Sequence, residues 1–464
     1  MPEPRIEEIV RYYTDLEVPE PVPREMRFNF PAPKKCVTII GPRRTGKTYF
    51  LYQRLRELRS DEKGISTLFL NLEDDRLAPS DATTLDAIWR AYRESSPRVE
   101  GQRTHVFLDE VQAIDGWERF VRRIIDTEDV QVYITGSSSR LLSTEVATVM
   151  RGRSLTYTLL PFSFREAMRA KGLDLRPAPS YDQRAVVLGE LREYMTYGGF
   201  PEVVLLEDGP SRINTLRQYV ELMLMRDVVE RHGLRNIALM RRLLSDLLTS
   251  IGGEFSVHKY RNHLASLGIR VSKNTLYEYF GYLHDAFIIH PLRAFNRSRR
   301  EQSRSLPKVY PIDPGLSLQA GGRSSQDLGR RMECVVALEL LRTSLEDILT
   351  EVFYWRDPFG KEVDFVVRRD SDVVQLIQSC YDISAFGVRE RELGALLKAS
   401  KELGCDDLLV LTWDHVGGEE LEGRHVVYEP LWRWLLGKGR SPAGDGQGGH
   451  REGAVVTRGP SPAR

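Results

Sequence analysis

No two cysteines of this sequence stand close enough to form a metal or redox motif: Cys36, Cys334, Cys380 and Cys405 are scattered along 464 residues. That spacing excludes a disulfide framework and a C-x-x-C zinc site, and it predicts a reducing, cytoplasmic setting. There is no apolar run of membrane-spanning length, so no membrane partner is expected. The start, Met1-Pro2-Glu3-Pro4-Arg5, lacks the basic-then-apolar form of a secretory signal. Neither sign of charge is in excess: 66 Lys+Arg against 66 Asp+Glu give a formal net charge of +0. Any contact with nucleic acid must therefore come from a local patch. The 41% hydrophobic and 28% charged composition is that of a globular protein, and the length predicts more than one domain.

What is present is Gly41-Pro42-Arg43-Arg44-Thr45-Gly46-Lys47-Thr48, directly after the apolar run Cys36–Ile40 and before the helical pattern that starts at Tyr49. It fits G-x-x-x-x-G-K-[ST] in a strand–loop–helix setting. The glycines let the backbone curl so that successive N–H groups face phosphate oxygens, and the helix starting near Lys47 adds its positive end. The motif predicts an ATP site lined by Gly41 through Tyr49, with Lys47 reaching the β- and γ-phosphates and the Thr48 hydroxyl as a ligand of Mg²⁺. Downstream, His105-Val106-Phe107-Leu108-Asp109-Glu110 is an apolar strand ending in two carboxylates. Asp109 suits the water shell of Mg²⁺, and Glu110 suits a general base acting on the attacking water.

The surrounding pattern predicts an N-terminal arm over 1–35 and an α/β P-loop core with a parallel sheet over 36–165. Its candidate strands are Val37–Ile40, Ser66–Leu72, His105–Leu108, Val130–Thr135 and Leu155–Leu160. A helical lid or connector follows over 166–235, then three short helices within 236–306, with Ser256 and Ser272 as N-caps. This order resembles a winged helix. Its third helix exposes Lys273, Asn274 and Tyr277, which suit nucleic-acid contact, and Glu278, which does not, and the connection Arg293–Arg304 holds five arginines and one acid where a wing would lie. Lys273, Asn274, Tyr277, Arg297, Arg299 and Arg300 are thus candidates to contact double-stranded DNA. A smaller α/β unit is expected over 307–436, starting with a strand at Val309–Ile312. The Gly-, Pro-, Ser- and Arg-rich stretch 437–464 reads as a disordered tail.

Several motifs together carry a family resemblance: Asp109-Glu110-Val111-Gln112, Ile134-Thr135-Gly136-Ser137-Ser138, Gly152-Arg153, Leu160-Pro161-Phe162-Ser163-Phe164-Arg165-Glu166 and Gly198-Gly199-Phe200-Pro201-Glu202. The chain resembles prokaryotic AAA+-like ATPases that carry an appended winged helix and a restriction-nuclease-like region of unassigned role. The resemblance implies a water-orienting polar residue on the strand between those of the P-loop and of Asp109. Ser137 is the first choice, with Thr135 and Ser138 behind it. It also implies an arginine for γ-phosphate charge, Arg153 or Arg151, from this chain or from a neighbouring subunit of a homo-oligomer.

By the same resemblance the unit after Lys308 is similar to the PD-(D/E)xK nuclease fold, with Glu333 and Asp364 at the positions of two acids. The next strand, Leu376-Ile377-Gln378-Ser379-Cys380, has Gln378 in place of the third acid and Cys380 in place of the lysine. A neutral amide is a poor Mg²⁺ ligand and a thiol is no fixed cation, so this site is expected to be inactive. The expectation is an ATPase that passes conformational change to a C-terminal DNA-binding region. The alternatives are an ATP-switched scaffold with negligible turnover and an ATP-gated nuclease.

Overall fold

The computed structural model describes residues 3–26, 34–61, 65–78, 81–96, 103–136, 148–173, 180–320, 327–384 and 387–437. The tail expected from 437 onward lies, beyond Gly437, outside the described residues, as do Ser137 and Ser138.

Strands β1 (Cys36–Ile40), β2 (Ser66–Asn71), β3 (Thr104–Asp109), β4 (Val130–Thr135) and β5 (Ser154–Thr158) form an all-parallel sheet in the order β2-β3-β4-β1-β5. Every residue of β1 is buried, as a parallel strand covered on both faces requires. Helices α1 (Glu3–Thr14), α2 (Lys47–Asp61), α3 (Ala82–Ser95) and α4 (Trp117–Thr127) accompany the sheet. In α1, Ile6, Ile9, Val10 and Tyr13 recur at one-face spacing and are buried in the core of this sheet. The order places β4 between β1 and β3, as expected. The loop after β1 opens at the carboxyl end of the sheet, where α/β folds bind ligands.

Beyond β5 the chain is mostly helical, through Phe164–Ala170, Tyr181–Tyr197, Pro201–Leu205 and Gly209–Leu222. The last of these runs straight into a π-helical stretch, Met223–Glu230. Helices Ile237–Thr249, Val257–Ser266 and Lys273–Asp285 follow. Ser256 and Ser272 cap the latter two, accepting from the Lys259 and Thr275 N–H groups. Strands β6 (Gly253–Glu254), β7 (Ile289–Leu292) and β8 (Lys308–Pro311) pair antiparallel in the order β6-β8-β7.

The structure corrects two expectations here. The apolar run at Val309–Ile312 does not open the last α/β unit, because β8 pairs with β6 and β7; an apolar run does not specify its partner. The Arg-rich connection is not an open wing throughout, since Arg299–Arg304 form a short helix capped by Ser298.

The final unit begins with helix Asp327–Glu346 and continues through β9 (Thr350–Arg356), β10 (Glu362–Arg369), β11 (Asp372–Cys380), helix Val388–Leu403 and β12 (Leu408–Thr412). A hairpin that the sequence pattern did not announce, β13 (Gly417–Leu421) and β14 (Arg424–Pro430), completes a mixed sheet ordered β13-β14-β12-β11-β10-β9. The hydrophobic core does not follow the boundaries expected at 235/236 and 306/307. One continuous cluster includes Phe200, Leu243, Tyr310, Val335 and Leu411, so connector, three-helix unit and second sheet share an interior.

Asp313 fastens that interior to the connector. Its side chain accepts hydrogen bonds from the Gly199 N–H at 2.7 Å and the Gly315 N–H at 2.9 Å. Gly198 lies against it at φ 80°, where a Cβ would sit 1.6 Å from Oδ1, so only glycine fits. Burial pushes the Asp313 carboxyl up to about 7. Its folded value thus exceeds the ordinary one of about 3.9, and the folded state holds the proton more tightly between those limits. Stability therefore falls as pH rises through that window. Asp313→Asn sets an NH₂ against one backbone donor, which is expected to cost about 1–3 kcal/mol and to remove this pH dependence. Urea midpoints at about pH 5 and pH 7.5 should show wild type losing ground to the variant with rising pH; parallel profiles would contradict the assignment.

Candidate nucleotide site

The loop after β1 is shaped by what stands behind it. Gly41 has φ 144°, and a Cβ there would lie 2.2 Å from the Leu159 carbonyl oxygen. The turn closes on itself, with Thr45 Oγ1 donating to the Pro42 carbonyl at 2.9 Å. Lys47 Nζ donates to the Gly41 and Pro42 carbonyls at 3.1 and 2.9 Å, which places the ammonium in the concavity of the loop. Burial pulls its pKa down from the ordinary value, while Glu110, Asp109 and Asp227 oppose that shift.

The Thr48 hydroxyl donates to Asp109 Oδ2 at 2.7 Å, so the two groups expected around Mg²⁺ meet. Burial pushes the Asp109 carboxyl up to about 6. A buried carboxylate beside a hydroxyl, at the mouth of a loop carrying an ammonium, fits a hard divalent cation with phosphate oxygens. Asp109 Oδ1 accepts from Thr135 Oγ1, and the same Thr135 oxygen accepts the Glu110 N–H at 3.1 Å. Thr135 thereby fixes both carboxylate residues, Glu110 being held in the left-handed region at φ 53°. Glu110 Oε2 also accepts from Gln112 Nε2. It is Thr135, second to Ser137 on the sequence pattern, that makes these contacts. Tyr49, at the start of α2, is 53% exposed, and its ring meets that of Tyr52 edge-on at 5.7 Å.

For Arg153 the structure bears on one of the two expected arrangements, action within the chain. In the β1–β5 pairing Cys36 stands opposite Ser154 and Ile40 opposite Thr158, so Arg153 lies at the end of β5 remote from the loop. That separation is about 17 Å along five residues of strand. Arg153 pairs there with Asp126 at 2.9 Å, and Arg151 lies in the turn before it. Neither is placed to serve this chain's own P-loop.

Two charged residues at the loop carried no sequence signal. Arg24, in the N-terminal arm, donates to the Thr45 carbonyl at 2.8 Å, the Leu160 carbonyl at 2.6 Å and Glu166 Oε1 at 3.0 Å. Asp227, on the π-helical stretch, accepts from Arg43 Nε at 2.8 Å. Both arise far from the motif in the chain.

In the C-terminal unit Glu333 and Asp364 do converge, but on a lysine. Lys308 Nζ lies 2.9 Å from Glu333 Oε1, 3.1 Å from Asp364 Oδ1 and 2.7 Å from Glu362 Oε1. Tyr310 donates to the same Glu333 oxygen at 2.6 Å. Gln378 accepts the Asp364 N–H at 3.3 Å and donates to Glu392. Cys380 is buried in an apolar cluster with Phe353 and Val410. Burial pushes Glu333 up to about 7, and the neighbouring Asp364 adds to the shift. Among the described residues no three His, Cys, Asp or Glu side chains form a metal-binding group. Among them, too, no helix is long and apolar enough to cross a membrane.

The parallel sheet with its phosphate-binding loop defines a P-loop α/β protein of the AAA type, and residues 33–168 match the model of an AAA domain. Residues 188–327 match a domain of unknown function. An uncharacterized protein of Methanocaldococcus jannaschii is 33% identical over 410 residues, spanning 87% of this chain and 89% of the relative. The chain belongs to the same family as that archaeal protein. An uncharacterized protein of Haemophilus influenzae is 26% identical over 402 residues, 86% of this chain and 93% of its own length. Among solved structures, a Walker-type ATPase of Pyrococcus abyssi is 13% identical with a TM-score of 0.38, covering 69% of this chain and 94% of its own. The Aeropyrum pernix ORC1 protein in complex with DNA is 15% identical with a TM-score of 0.24, covering 68% and 90%. These TM-scores are too low for either likeness to extend to the whole chain.

Thr135→Val keeps the side-chain shape and removes the hydrogen bonds to Asp109 and Glu110. Steady-state hydrolysis should fall roughly tenfold to a hundredfold while ATP affinity stays close to wild type. Undiminished turnover would show that Thr135 orients neither carboxylate.

Proposed function

We propose that the protein is a Mg²⁺-dependent ATPase of the AAA type that transmits nucleotide state to a C-terminal DNA-contacting region. The observation that carries this reading is the linked set Thr48–Asp109–Thr135–Glu110 beside Lys47. Gly41 through Thr48 would hold the phosphates, with Tyr49 at the edge of the site. Thr48 and Asp109 would hold Mg²⁺, which when bound neutralises phosphate charge. Lys47 stabilises charge on the β- and γ-phosphates. Glu110, held by its backbone N–H, accepts a proton from the attacking water. Ser137 remains the proposed water-orienting residue, and Thr135 supports the two carboxylates. Arg153, remote from its own loop, would act only on a neighbouring subunit of a homo-oligomer.

For the C-terminal half, three helices followed by paired strands β7 and β8 support a winged-helix reading. Lys273, Asn274 and Tyr277 are exposed on the third helix, Tyr277 at 61%, and Arg297, Arg299 and Arg300 are exposed nearby. Exposed cations suit phosphate contacts, and the helix suits a major groove. The helix–three-strand–helix–strand order from Asp327 to Thr412 supports the nuclease-like reading. The engagement of Glu333, Glu362 and Asp364 by Lys308, with Gln378 in place of an acid, supports an inert site.

Lys47→Ala should abolish ATP binding, and Glu110→Gln should bind ATP and lose turnover, in a steady-state assay run with and without duplex DNA. Wild-type turnover by Glu110→Gln would remove it as the base. DNA affinity should fall with rising salt, and removing Arg297, Arg299 and Arg300 should flatten the log–log slope by about one for each phosphate no longer neutralised. An unchanged slope would remove those arginines from the interface. Incubation of DNA with Mg²⁺ or Mn²⁺ should give no cleavage; cleavage that disappears in Asp364→Ala would favour the nuclease instead.

A further inference from the structure

The P-loop is held from two sides, and one side is a buried carboxylate that does no evident work for stability. Asp227 belongs to the π-helical stretch Met223–Glu230, which continues helix Gly209–Leu222. A π turn spaces its residues more widely than an α turn, and such bulges cluster at functional positions. Here the widened register accompanies an inward-facing acid. Arg226 and Glu230 pair with each other on the outer side at 2.9 Å, and they are 60% and 50% exposed. Asp227, between them, is 1% exposed.

Asp227 Oδ1 accepts from Arg43 Nε at 2.8 Å. Its other oxygen is buried and makes no hydrogen bond among the described residues. A half-satisfied buried carboxylate costs free energy, and such a group calls for a role beyond packing. A second contact points the same way. Arg44, the next loop residue, lies over the ring of Tyr219 at 6.0 Å, two helical turns before Asp227 on the same connector. Consecutive arginines of the phosphate-binding loop thus both reach one helix of the connector. Other charges near the spot include Lys47, Asp109, Glu110 and Glu73, whose carboxyl also feels the Arg43 guanidinium, and Asp227 counts among the carboxylates acting on the Lys47 ammonium.

We propose that Asp227 is a nucleotide-responsive positioning residue: it competes with the substrate's phosphates for Arg43, and it releases the guanidinium, and with it the connector, when Arg43 turns to those phosphates. The proposal rests on the ATPase reading above. The physical basis is competition for one guanidinium. Phosphate oxygens offer Arg43 a stronger anion than one carboxylate oxygen does, and the same phosphates repel the Asp227 carboxylate. Separation moves the π-helical stretch, and that helix shares its core with the three-helix unit and the second sheet. By linkage, a contact that nucleotide binding breaks lowers nucleotide affinity, and the nucleotide weakens that contact by the same factor.

The test measures ATP and ADP dissociation constants for wild type, Asp227→Asn, Arg43→Gln and the double variant, with Lys47→Ala as the control. Asp227→Asn should tighten ATP binding by about fivefold to 150-fold, the range of ordinary coupling, and should tighten ADP less, because ADP carries less charge to the loop. Arg43→Gln should weaken ATP, and in its background Asp227→Asn should have little effect. A purely structural Asp227 would shift both nucleotides equally and would not depend on Arg43. A second readout needs no variant: hydrogen exchange of residues 223–230 in wild type should quicken with ATP more than with ADP. If ATP binds through Lys47 but Asp227→Asn leaves it unchanged or weaker, or if exchange over 223–230 is unmoved, this proposal falls and the ATPase reading stands. If wild type binds no ATP, both fall.

Discussion

One guanidinium ties the phosphate-binding loop to the rest of the molecule. Arg24 directs its donors to the Thr45 carbonyl inside the loop, to the Leu160 carbonyl just after β5, and to Glu166. Glu166 is itself the reciprocal partner in the capping box of Ser163, so the same carboxylate closes a helix end and holds the arm. Burial lowers the Arg24 pKa, and the paired carboxylate opposes that shift. A planar fork with five donors can satisfy three acceptors at once, which an ammonium cannot do in that geometry. Arg342 donates to the neighbouring Pro161 carbonyl at 2.6 Å, and Arg165 bridges Glu25 and Glu339. Through these contacts the loop, the arm and the helix Asp327–Glu346 meet in one polar seam between two hydrophobic cores.

The seam joins the two halves of the chain. On one side lies the P-loop, with Asp227 and Arg24 gripping it from the connector and the arm. On the other lies Asp313, which fixes the Gly198–Gly199 turn from the far core. Beyond it, Lys308 gathers three carboxylates from the second sheet and its helix while belonging to β8 of the small sheet. An internal ammonium stands among three acids, and the ion pairs join the small sheet to the second one. The proposed division of labour follows: nucleotide chemistry in the first sheet, and a C-terminal half built to be positioned.

The first sheet was legible because its signals are local. The strand, loop and helix around Gly41–Thr48 lie within a few residues of one another, and the run ending in Asp109-Glu110 states both burial and chemistry in six letters. The caps Ser256 and Ser272 were legible for the same reason. What escaped acts across the chain. Arg24 meets Glu166, Asp227 meets Arg43 and Lys308 meets Asp364, each pair separated by dozens of residues and formed by ordinary residue types. The strand β8 was readable as a strand but not as a partner of β7, because hydrophobicity selects burial and not a neighbour. For Arg153 the sequence left action within the chain or from a neighbouring subunit open, and the register of β5 against β1 sets it at the end of the strand away from its own loop. Gln378 and Cys380 were readable in the sequence, but the Lys308 ammonium that meets Glu333 and Asp364 comes from another sheet.

The loop's binding conformation is therefore held from outside the motif, by Arg24. The most direct test is the ATP dissociation constant of Arg24→Lys, in a protein shown by circular dichroism to remain folded. Charge is kept and the three-way fork is removed, so affinity should fall by about tenfold or more. An ATP affinity equal to that of wild type would mean that the P-loop holds its shape unaided, and would contradict the role given to Arg24.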